Sequence, residues 1–203
     1  MIRAFLAVEL SQELHAELAV VQQELKRRIE PEKKQDTRIS WVRPASIHLT
    51  LKFLGDMDEQ VSDPLRAALE QAIGSQIPVH VPLERLRAFP RPHSPRVLWV
   101  GPFENWERGA EAKRLEEIHS AIERACEGLG FLRETKPFSP HLTLARIKMG
   151  ERHVGDVLAK SGVLDRPLSL GALVVESVVL MKSELRPTGS VYTKLWEVRM
   201  RAA

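Results

Sequence analysis

The sequence predicts a mixed α and β fold built from two similar lobes, and two observations lead to this prediction. Amphipathic helical segments alternate with short apolar strand-like segments in both halves of the chain, which is the pattern of a fold that packs helices against sheets. The tetrapeptide His-Leu-Thr-Leu also occurs once in each half, at residues 48–51 and 141–144. We therefore expect residues 1–203 to form a single bilobal domain.

Length and composition exclude several classes of protein. The chain has 203 residues, of which 43% are hydrophobic and 28% charged, so an intrinsically disordered protein is excluded. No apolar run approaches the roughly 20 residues of a membrane-spanning helix. Cys126 is the only cysteine, so no intrachain disulfide can form, and we expect a cytoplasmic protein. The formal net charge of +3 is too small to indicate an anionic partner.

The first half of the chain is expected to begin with a strand over residues 3–8, followed by a helix. The helix begins at Gln12 with Ser11 as its N-cap, because a serine hydroxyl can accept a hydrogen bond from a free backbone N–H of the first turn. One face of the helix is apolar, since apolar residues recur at spacings of three and four. These apolar residues are Leu14, Leu18, Val21, Leu25 and Ile29.

A second strand and helix follow. The strand covers residues 47–54, and the helix has Asp63 as its expected N-cap, Pro64 at its first position and Gly74 at its end. Strand-like segments are then expected at 79–87 and 97–101. The proline-rich segment 89–96 between them is expected to be a stiff surface loop that joins the two halves.

The second half repeats this alternation. The pattern predicts a helix over 111–128, a strand over 141–147 and a short helix near 154–160. Two β-branched segments, 173–181 and 191–200, predict the last strands. Cys126 lies near the apolar face of the first of these helices, so a buried structural thiol is expected there and not a nucleophile.

The repeated tetrapeptide contains a His followed two residues later by a Thr. With seven His and six Thr in 203 residues, composition predicts roughly 0.2 such pairs, yet the chain has two. His48 and Thr50 form the first pair, and His141 and Thr143 form the second. Because side chains two residues apart on a strand point to the same face, each motif directs one imidazole and one hydroxyl together.

Two imidazoles that converge on one cleft can divide acid–base work, since the pKa of an unperturbed His is about 6.5. Hydrolysis of a phosphodiester needs a general base for the attacking oxygen and a general acid for the leaving oxygen. The two Thr hydroxyls would donate hydrogen bonds to nonbridging phosphate oxygens and stabilise the charge of the transition state. The doubled motif therefore favours acid–base chemistry on a phosphodiester.

A purely structural role and a metal-binding role for these histidines are both less favoured. A lone His-x-Thr is more often an ordinary core strand with satisfied polar groups, but a matched pair favours function. His is also the commonest metal ligand, yet no Cys or carboxylate at ligand spacing accompanies either motif, so no metal is expected. The remaining histidines have no Thr partner and are expected to be structural: His15, His80, His93, His119 and His153.

At the two motifs the chain resembles the 2H phosphoesterase superfamily. Within it, the resemblance is to the bacterial and archaeal RNA 2′,3′-cyclic phosphodiesterases, also called 2′-5′ RNA ligases. The resemblance covers nearly the whole chain and implies a bilobal α+β fold in which two antiparallel sheets line a central cleft, with helices on the outside. The segments that carry it are 3–7, 41–44, 48–55, 89–90, 95–101, 137–146, 180–183, Gly189 and Tyr192.

The resemblance also implies an activity, the hydrolysis of a terminal 2′,3′-cyclic phosphate on RNA to a 2′-phosphomonoester without metal, ATP or another cofactor. In the family assignment the first His donates a proton and the second accepts one. Carried over to this sequence, His48 is the acid that protonates the leaving 3′ oxygen, and His141 is the base that activates water. Thr50 and Thr143 would hold the phosphate.

Two basic residues follow the motifs and are candidates for substrate binding. Lys52 is four residues after His48, so strand alternation places it on the cleft face. Arg146 is five residues after His141, so strict alternation turns it away from the cleft. It would reach the phosphate if the strand ends or contains a bulge there, and the resemblance favours that placement.

The segment before the second motif contains further candidates. Arg133 and Lys136 could flank the cleft and contact RNA, and a solvated surface charge accounts for each about equally well. Phe138 could stack on a base, although a Phe beside a core strand more often contributes to packing.

The expected partner is RNA with a 2′,3′-cyclic phosphate or a 2′-5′-linked end. One alternative is the same chemistry on another cyclic or 2′-5′-linked nucleotide, including weak reversible 2′-5′ RNA ligation. Another is a noncatalytic module that binds RNA ends. We expect no membrane association and no obligatory protein partner, with the chain acting as a monomer.

Overall fold

The computed structural model describes residues 1–186 and 189–201, which contain ten strands and four α-helices. In chain order these elements are β1 (Ile2–Val8), α1 (Gln12–Ile29), β2 (Arg38–Trp41), β3 (Leu49–Met57), α2 (Ser62–Ile73), β4 (Val79–Pro82), β5 (Arg85–Arg91), β6 (Ser94–Gly101), α3 (Ala110–Glu127), β7 (Leu142–Met149), α4 (Glu151–Ser161), β8 (Ala172–Val175), β9 (Ser177–Arg186) and β10 (Gly189–Arg199). No helix among the described residues is long and apolar enough to cross a membrane.

The strands form two lobes that meet at the two motif strands. The first-motif lobe has the strand order β10-β9-β1-β3, and the second-motif lobe has β7-β6-β5, with β2 also paired to β7. These pairings are antiparallel, and the contact that joins β3 to β7 is the pair Leu49 and Leu142. A separate two-stranded sheet pairs β4 with β8. The expected bilobal α+β fold with antiparallel sheets is confirmed.

The two halves of the chain repeat the same order of elements, and each half contributes a strand to the lobe of the other half. The order β1-α1-β3-α2-β4-β5 in the first half matches β6-α3-β7-α4-β8-β9 in the second. However, β5 pairs with β6 of the second half, and β9 returns to pair with β1 of the first. The helices follow the same exchange, since α2 contacts α3 and α1 contacts α4. Each lobe is therefore completed by elements from the other half.

The main core lies on the helix side of the sheets and extends through both lobes as one cluster of buried apolar residues. A second, smaller apolar cluster lies on the opposite, cleft-facing side of the first-motif lobe. It consists of Phe5, Ala7, Val179 and Met181, with Tyr192 packed against them. Apolar residues on both faces of a strand are typical of a strand that is covered on both sides.

Several predicted element boundaries are confirmed, and one cap is wrong. Helix α1 begins at Gln12, and the Ser11 hydroxyl accepts a hydrogen bond from the Leu14 backbone N–H at 3.2 Å. Helix α2 ends before Gly74 as expected, but Asp63 is not its N-cap. The one-turn 3₁₀ helix Glu59–Val61 leads directly into α2, so Asp63 already lies in the first turn of α2.

The expected proline-rich loop at 89–96 is also wrong, since most of it forms the hairpin β5–β6 with a turn at 92–93. Pro90 lies in β5, an edge strand, where a residue without a backbone N–H does not interrupt the sheet. Pro95 lies opposite Pro90, before the part of β6 that pairs with β7. The hairpin does connect the two repeated halves. Strand β2 was not predicted from the sequence.

Candidate active site

The two motif histidines lie where the lobes meet. His48 immediately precedes β3 and His141 immediately precedes β7, and the next residues, Leu49 and Leu142, face each other across the pair that joins these strands. The fold therefore brings the two motifs, 93 residues apart in sequence, to one seam. Both imidazoles are half-buried, as are the side chains of Thr50 and Thr143.

Each imidazole is oriented by the same local contact. His48 Nδ1 donates a hydrogen bond to the Ser46 carbonyl at 2.9 Å, and His141 Nδ1 donates one to the Ser139 carbonyl at 2.8 Å. Because a carbonyl oxygen can only accept, Nδ1 carries the proton and Nε2 is left for a reacting group. The sequence signal for this contact is a Ser two residues before each His, which extends the repeated motif to Ser-x-His-Leu-Thr-Leu.

Aromatic rings hold both imidazoles from the side. His48 stacks on Phe5 with ring centroids 4.7 Å apart, and the Tyr192 ring is nearly perpendicular to His48, with ring centroids 5.3 Å apart. His141 packs edge-on against Phe89, with ring centroids 5.3 Å apart, and against Trp99, with ring centroids 6.0 Å apart. These contacts restrict ring rotation and exclude water from part of each imidazole.

Burial lowers the pKa of His48 and of His141 below the ordinary value of 6.5, because it disfavours the charged imidazolium. The hydrogen bonds to the Ser46 and Ser139 carbonyls act in the opposite direction. The positive charge of Arg146 lowers both pKa values further. Without a bound anion, the site therefore favours two neutral imidazoles at neutral pH.

A β-bulge interrupts each motif strand directly after the Thr. In β3, Thr50 pairs with Ala7 and Lys52 pairs with Leu6, which leaves Leu51 as an extra residue. In β7, the equivalent extra residue is Leu144, between the pairs of Thr143 and Ala145. A bulge shifts the alternation of the side chains that follow it by one position, and in β3 this shift holds as far as a second extra residue, Leu54.

The bulges decide which residues reach the cleft. The side chain five residues after each His returns to the cleft face, so Phe53 and Arg146 both line the cleft. Arg146 was expected to reach the site if β7 ended or contained a bulge there, and β7 does contain a bulge. The expectation for Lys52 is wrong, because the bulge in β3 turns Lys52 toward the core, where it is only 5% exposed.

Lys52 instead forms a buried ion pair behind the motif. Its Nζ donates to both carboxylate oxygens of Glu123 on α3, at 2.9 and 2.8 Å, and to the Leu132 carbonyl at 2.8 Å. The Glu123 carboxylate also accepts a hydrogen bond from the backbone N–H of Glu134 at 3.1 Å. This cluster attaches the segment that leads to the second motif to the back of β3.

The other candidates in that segment lie elsewhere. Arg133 and Lys136 are exposed and are not among the residues that line the cleft. Phe138 stacks on the buried His119 with ring centroids 4.2 Å apart, which agrees with a packing role. Cys126 is buried, and burial raises the pKa of its thiol to about 12, so it is a structural thiol as expected.

A buried polar side chain holds each bulge from the opposite half of the chain. On α3, His119 Nε2 donates a hydrogen bond to the Leu51 carbonyl at 2.9 Å. On α1, Gln22 Nε2 donates to the Leu144 carbonyl at 2.8 Å and to the Val42 carbonyl at 2.7 Å. Sequence reasoning missed Gln22. A single Gln on the apolar face of a helix was its only signal.

The cleft beyond the histidines has a volume of about 650 Å³ and is partly cationic. The first motif contributes His48, Thr50 and Phe53 to its lining, and the second contributes Thr143 and Arg146. His141 lies just outside this lining, against Phe89 and Trp99. Three further cations line the cleft, Arg3, Arg43 and Lys148. Among residues 1–186 and 189–201, no group of three or more His, Cys, Asp and Glu could hold a metal ion.

Two anchored imidazoles and two hydroxyls meet at the seam beside a cleft that is lined by guanidinium groups, and groups of these types can carry out acid–base chemistry on a phosphate ester. The model of the family described as LigT like Phosphoesterase matches residues 8–99 and 109–192. The chain belongs to this family, and the resemblance that the motifs indicated is confirmed.

Similar proteins cover most or nearly all of the chain. An RNA 2′,3′-cyclic phosphodiesterase of Methanothermobacter thermautotrophicus is 30% identical over 98% of this chain and 99% of its own length. Its counterpart from Aeropyrum pernix is 36% identical over 78% of this chain and 84% of its own length. A solved structure of a Thermus thermophilus protein is 29% identical, with a TM-score of 0.69 and 99% coverage of both chains.

Escherichia coli LigT shares the fold. Its apo structure has a TM-score of 0.71 at 20% identity, covering 98% of this chain and 97% of its own. LigT has also been solved in complex with 3′-AMP, and that structure has a TM-score of 0.68 at 18% identity, with 98% of both chains covered.

The buried ion pair predicts a large effect of Lys52 on stability. We expect Lys52→Met to lower the free energy of unfolding by about 3–5 kcal/mol, because it leaves the Glu123 carboxylate charged, buried and without its cation. Urea unfolding of the variant and of the Lys52→Met, Glu123→Leu double variant measures this, and the double variant should regain most of the loss. Arg66→Met, at the exposed pair with Glu70, is the control and should change stability by less than about 1 kcal/mol. A double variant as unstable as Lys52→Met alone would contradict the interpretation.

The bulge contact of His119 predicts a difference between two substitutions. We expect His119→Leu to lower the free energy of unfolding by about 1–3 kcal/mol, since the buried Leu51 carbonyl loses its side-chain donor. His119→Gln should cost less, because an amide can donate to this carbonyl as Gln22 does at Leu144. Both variants lose the stacking on Phe138, so their difference in chemical unfolding reports the hydrogen bond. Equal losses would argue against a role for this contact.

Proposed function

We propose that this protein hydrolyses 2′,3′-cyclic phosphodiester ends of RNA to 2′-phosphomonoesters by metal-independent general acid–base catalysis. The observation that carries the proposal is the convergence of His48 and His141 on one seam, each beside its own Thr and each held at Nδ1 by a backbone carbonyl. The names of the M. thermautotrophicus and A. pernix relatives support RNA 2′,3′-cyclic ends as the substrate. The nucleotide complex of E. coli LigT is consistent with a nucleotide in the cleft.

In the proposed reaction, the neutral His141 Nε2 removes a proton from water as the water oxygen forms a bond to phosphorus. The bond between phosphorus and the 3′ oxygen breaks, and that oxygen takes a proton from the His48 imidazolium. The phosphate remains attached to the 2′ oxygen. After one turnover His141 carries a proton and His48 has lost one, and exchange with solvent restores the starting state.

Charge around the phosphate supports these roles. The hydroxyls of Thr50 and Thr143 would donate to the nonbridging oxygens, and the Arg146 guanidinium would neutralise the negative charge that develops on them. The anion also affects the acid, because its negative charge counteracts the lowering of the His48 pKa by burial and by Arg146. Substrate binding thus favours the protonated His48 that the mechanism requires.

We also propose that residues 1–203 act as one bilobal unit without an obligatory protein partner. The exchange of β5 and β9 between the lobes supports this proposal, because neither half of the chain contains a complete lobe. Both motifs, both hydroxyls and Arg146 come from a single chain, which supports a site formed within one protomer.

The proposed activity predicts turnover of a short RNA with a 2′,3′-cyclic phosphate end in the presence of EDTA. The product should have the mass of a phosphomonoester and should resist enzymes that are specific for 3′-phosphates, which together identify a 2′-phosphate. His48→Ala and His141→Ala should each lower kcat by at least about 10²-fold, since each removes one proton transfer. The same assay with cyclic mononucleotides and 2′-5′-linked oligonucleotides distinguishes the alternative substrates.

Three results of this assay would contradict the proposal. A 3′-phosphate product would exclude the assigned direction of cleavage. Full activity in the His48→Ala, His141→Ala double variant would exclude both histidines as catalysts. RNA binding without turnover on any of these substrates would favour a noncatalytic module.

The effect of Arg146 on the two imidazoles predicts the pH profile. In Arg146→Gln, the pKa values of His48 and His141 should rise, because the positive charge that lowers both has been removed. His48, the acid, then stays protonated to a higher pH, which moves the alkaline limb of the kcat/KM profile upward in pH. His141, the base, is also protonated up to a higher pH, which moves the acidic limb in the same direction. The maximum should fall by about 10²–10³-fold. Arg66→Gln on α2 is the control, and an unmoved or acid-shifted profile in Arg146→Gln would contradict this interpretation.

A further inference from the structure

His48 lies where the cleft meets a second cavity. This cavity has a volume of about 500 Å³, and some residues line both it and the cleft. These shared residues are Arg43, Ser46, Ile47, His48 and Tyr192. The proton transfers alone require no second cavity beside the acid.

The walls that belong only to the second cavity have an apolar part and a charged part. The apolar part includes Leu10, Met181 and Val191. The charged part includes Lys194 and Glu9, whose partly exposed side chains form an ion pair at 2.7 Å. Pockets that bind small organic groups combine apolar walls with a few polar contacts in this way, and a nucleoside is such a group.

Arg43 is the cation at the junction of the two cavities. Its side chain is exposed, and Nη2 donates a hydrogen bond to the Ser190 carbonyl on β10 at 2.6 Å. A guanidinium has five N–H donors, so this bond can orient the group while other donors bind an anion. Arg43 directly precedes the one-turn helix Pro44–Ser46, whose last carbonyl orients His48. One short segment therefore positions both the cation and the acid.

The proposed reaction determines which part of the RNA lies beside His48. In the terminal ribose, C3′ carries the leaving oxygen and is bonded to C4′, from which the chain continues to the 5′ phosphate. C2′ carries the other oxygen of the cyclic phosphate and is bonded to C1′, which bears the base. The imidazole that protonates the 3′ oxygen therefore lies on the side of the ribose from which the upstream chain extends.

We propose that the second cavity binds the penultimate nucleotide of the RNA, and that Arg43 binds the phosphate that joins this nucleotide to the terminal one. This inference rests on the proposed function. Arginine suits the contact because its planar donors can bind two phosphate oxygens at once. The class of ligand is therefore an oligonucleotide end, whereas a cyclic mononucleotide occupies the cleft alone.

The test compares two dinucleotides that differ in one charge. Both end in a 2′,3′-cyclic phosphate, and in one of them a neutral methylphosphonate replaces the internal phosphodiester. The unmodified protein should prefer the charged dinucleotide in kcat/KM by about 10-fold or more, as expected for hydrogen bonds to a charged group. In Arg43→Gln this preference should fall to about twofold or less. The slope of log kcat/KM against log salt concentration on the charged dinucleotide should also become shallower by about 0.7.

Two further variants separate the second cavity from the rest of the cleft. Glu9→Gln removes a negative charge that lines only the second cavity, so the preference for the charged dinucleotide should rise by about 1.5–5-fold. A rise is opposite in sign to the effect of Arg43→Gln and does not result from general loss of structure. Lys148→Gln removes a cation that lines only the cleft, so it should affect both dinucleotides equally.

The outcomes are distinguishable. Equal turnover of both dinucleotides by the unmodified protein, or a preference that persists in Arg43→Gln, would overturn the proposal. A preference that falls in Glu9→Gln would also overturn it, as would one lost in Lys148→Gln, which would place the upstream chain in the cleft instead. No turnover of either dinucleotide or of a cyclic mononucleotide by the unmodified protein would instead contradict the proposed function.

Discussion

The extra residue that directly follows the Thr of each motif sets the direction of the side chains that come next. The bulges at Leu51 and Leu144 leave the His and Thr of each motif on the cleft face and bring the fifth residue, Phe53 or Arg146, back to that face. A bulge leaves a backbone carbonyl without its regular ladder partner, and a buried carbonyl needs a hydrogen-bond donor. Here side chains from α3 and α1 donate to the Leu51 and Leu144 carbonyls, and the Leu144 carbonyl also accepts a hydrogen bond from the Val42 backbone N–H at 2.9 Å.

These donors connect the site to the exchange of elements between the halves. Gln22 belongs to the first half and supports the second motif, while His119 belongs to the second half and supports the first motif. The pair of Lys52 and Glu123 adds a third contact of this kind, because it attaches the segment before His141 to the strand after His48. The geometry of each motif therefore depends on residues from the other half.

Sequence reasoning could identify the catalytic candidates because they depend on local periodicity alone. His48 and Thr50 are two residues apart on an extended chain, and this spacing places them on one face whatever lies around them. It could not place Lys52, since a bulge is fixed by a cross-strand register and by a donor from a distant helix. The hairpin at 89–96 was missed because prolines argue against a central strand. Pro90 lies in the edge strand β5, where a residue without a backbone N–H is tolerated, and the sequence does not show which strand will be at an edge.

The return of β9 to β1 has a consequence for the order in which the protein is made. Residues 4–7 pair with residues 179–182, so the longest-range contacts of the sheet close the lobe whose motif emerges first from the ribosome. Until β9 is synthesised, one edge of β1 has no strand beside it, and the platform for His48 that Phe5 forms with Met181 is incomplete. The first motif is thus translated early but assembled late, and topologies with such distant pairings fold slowly.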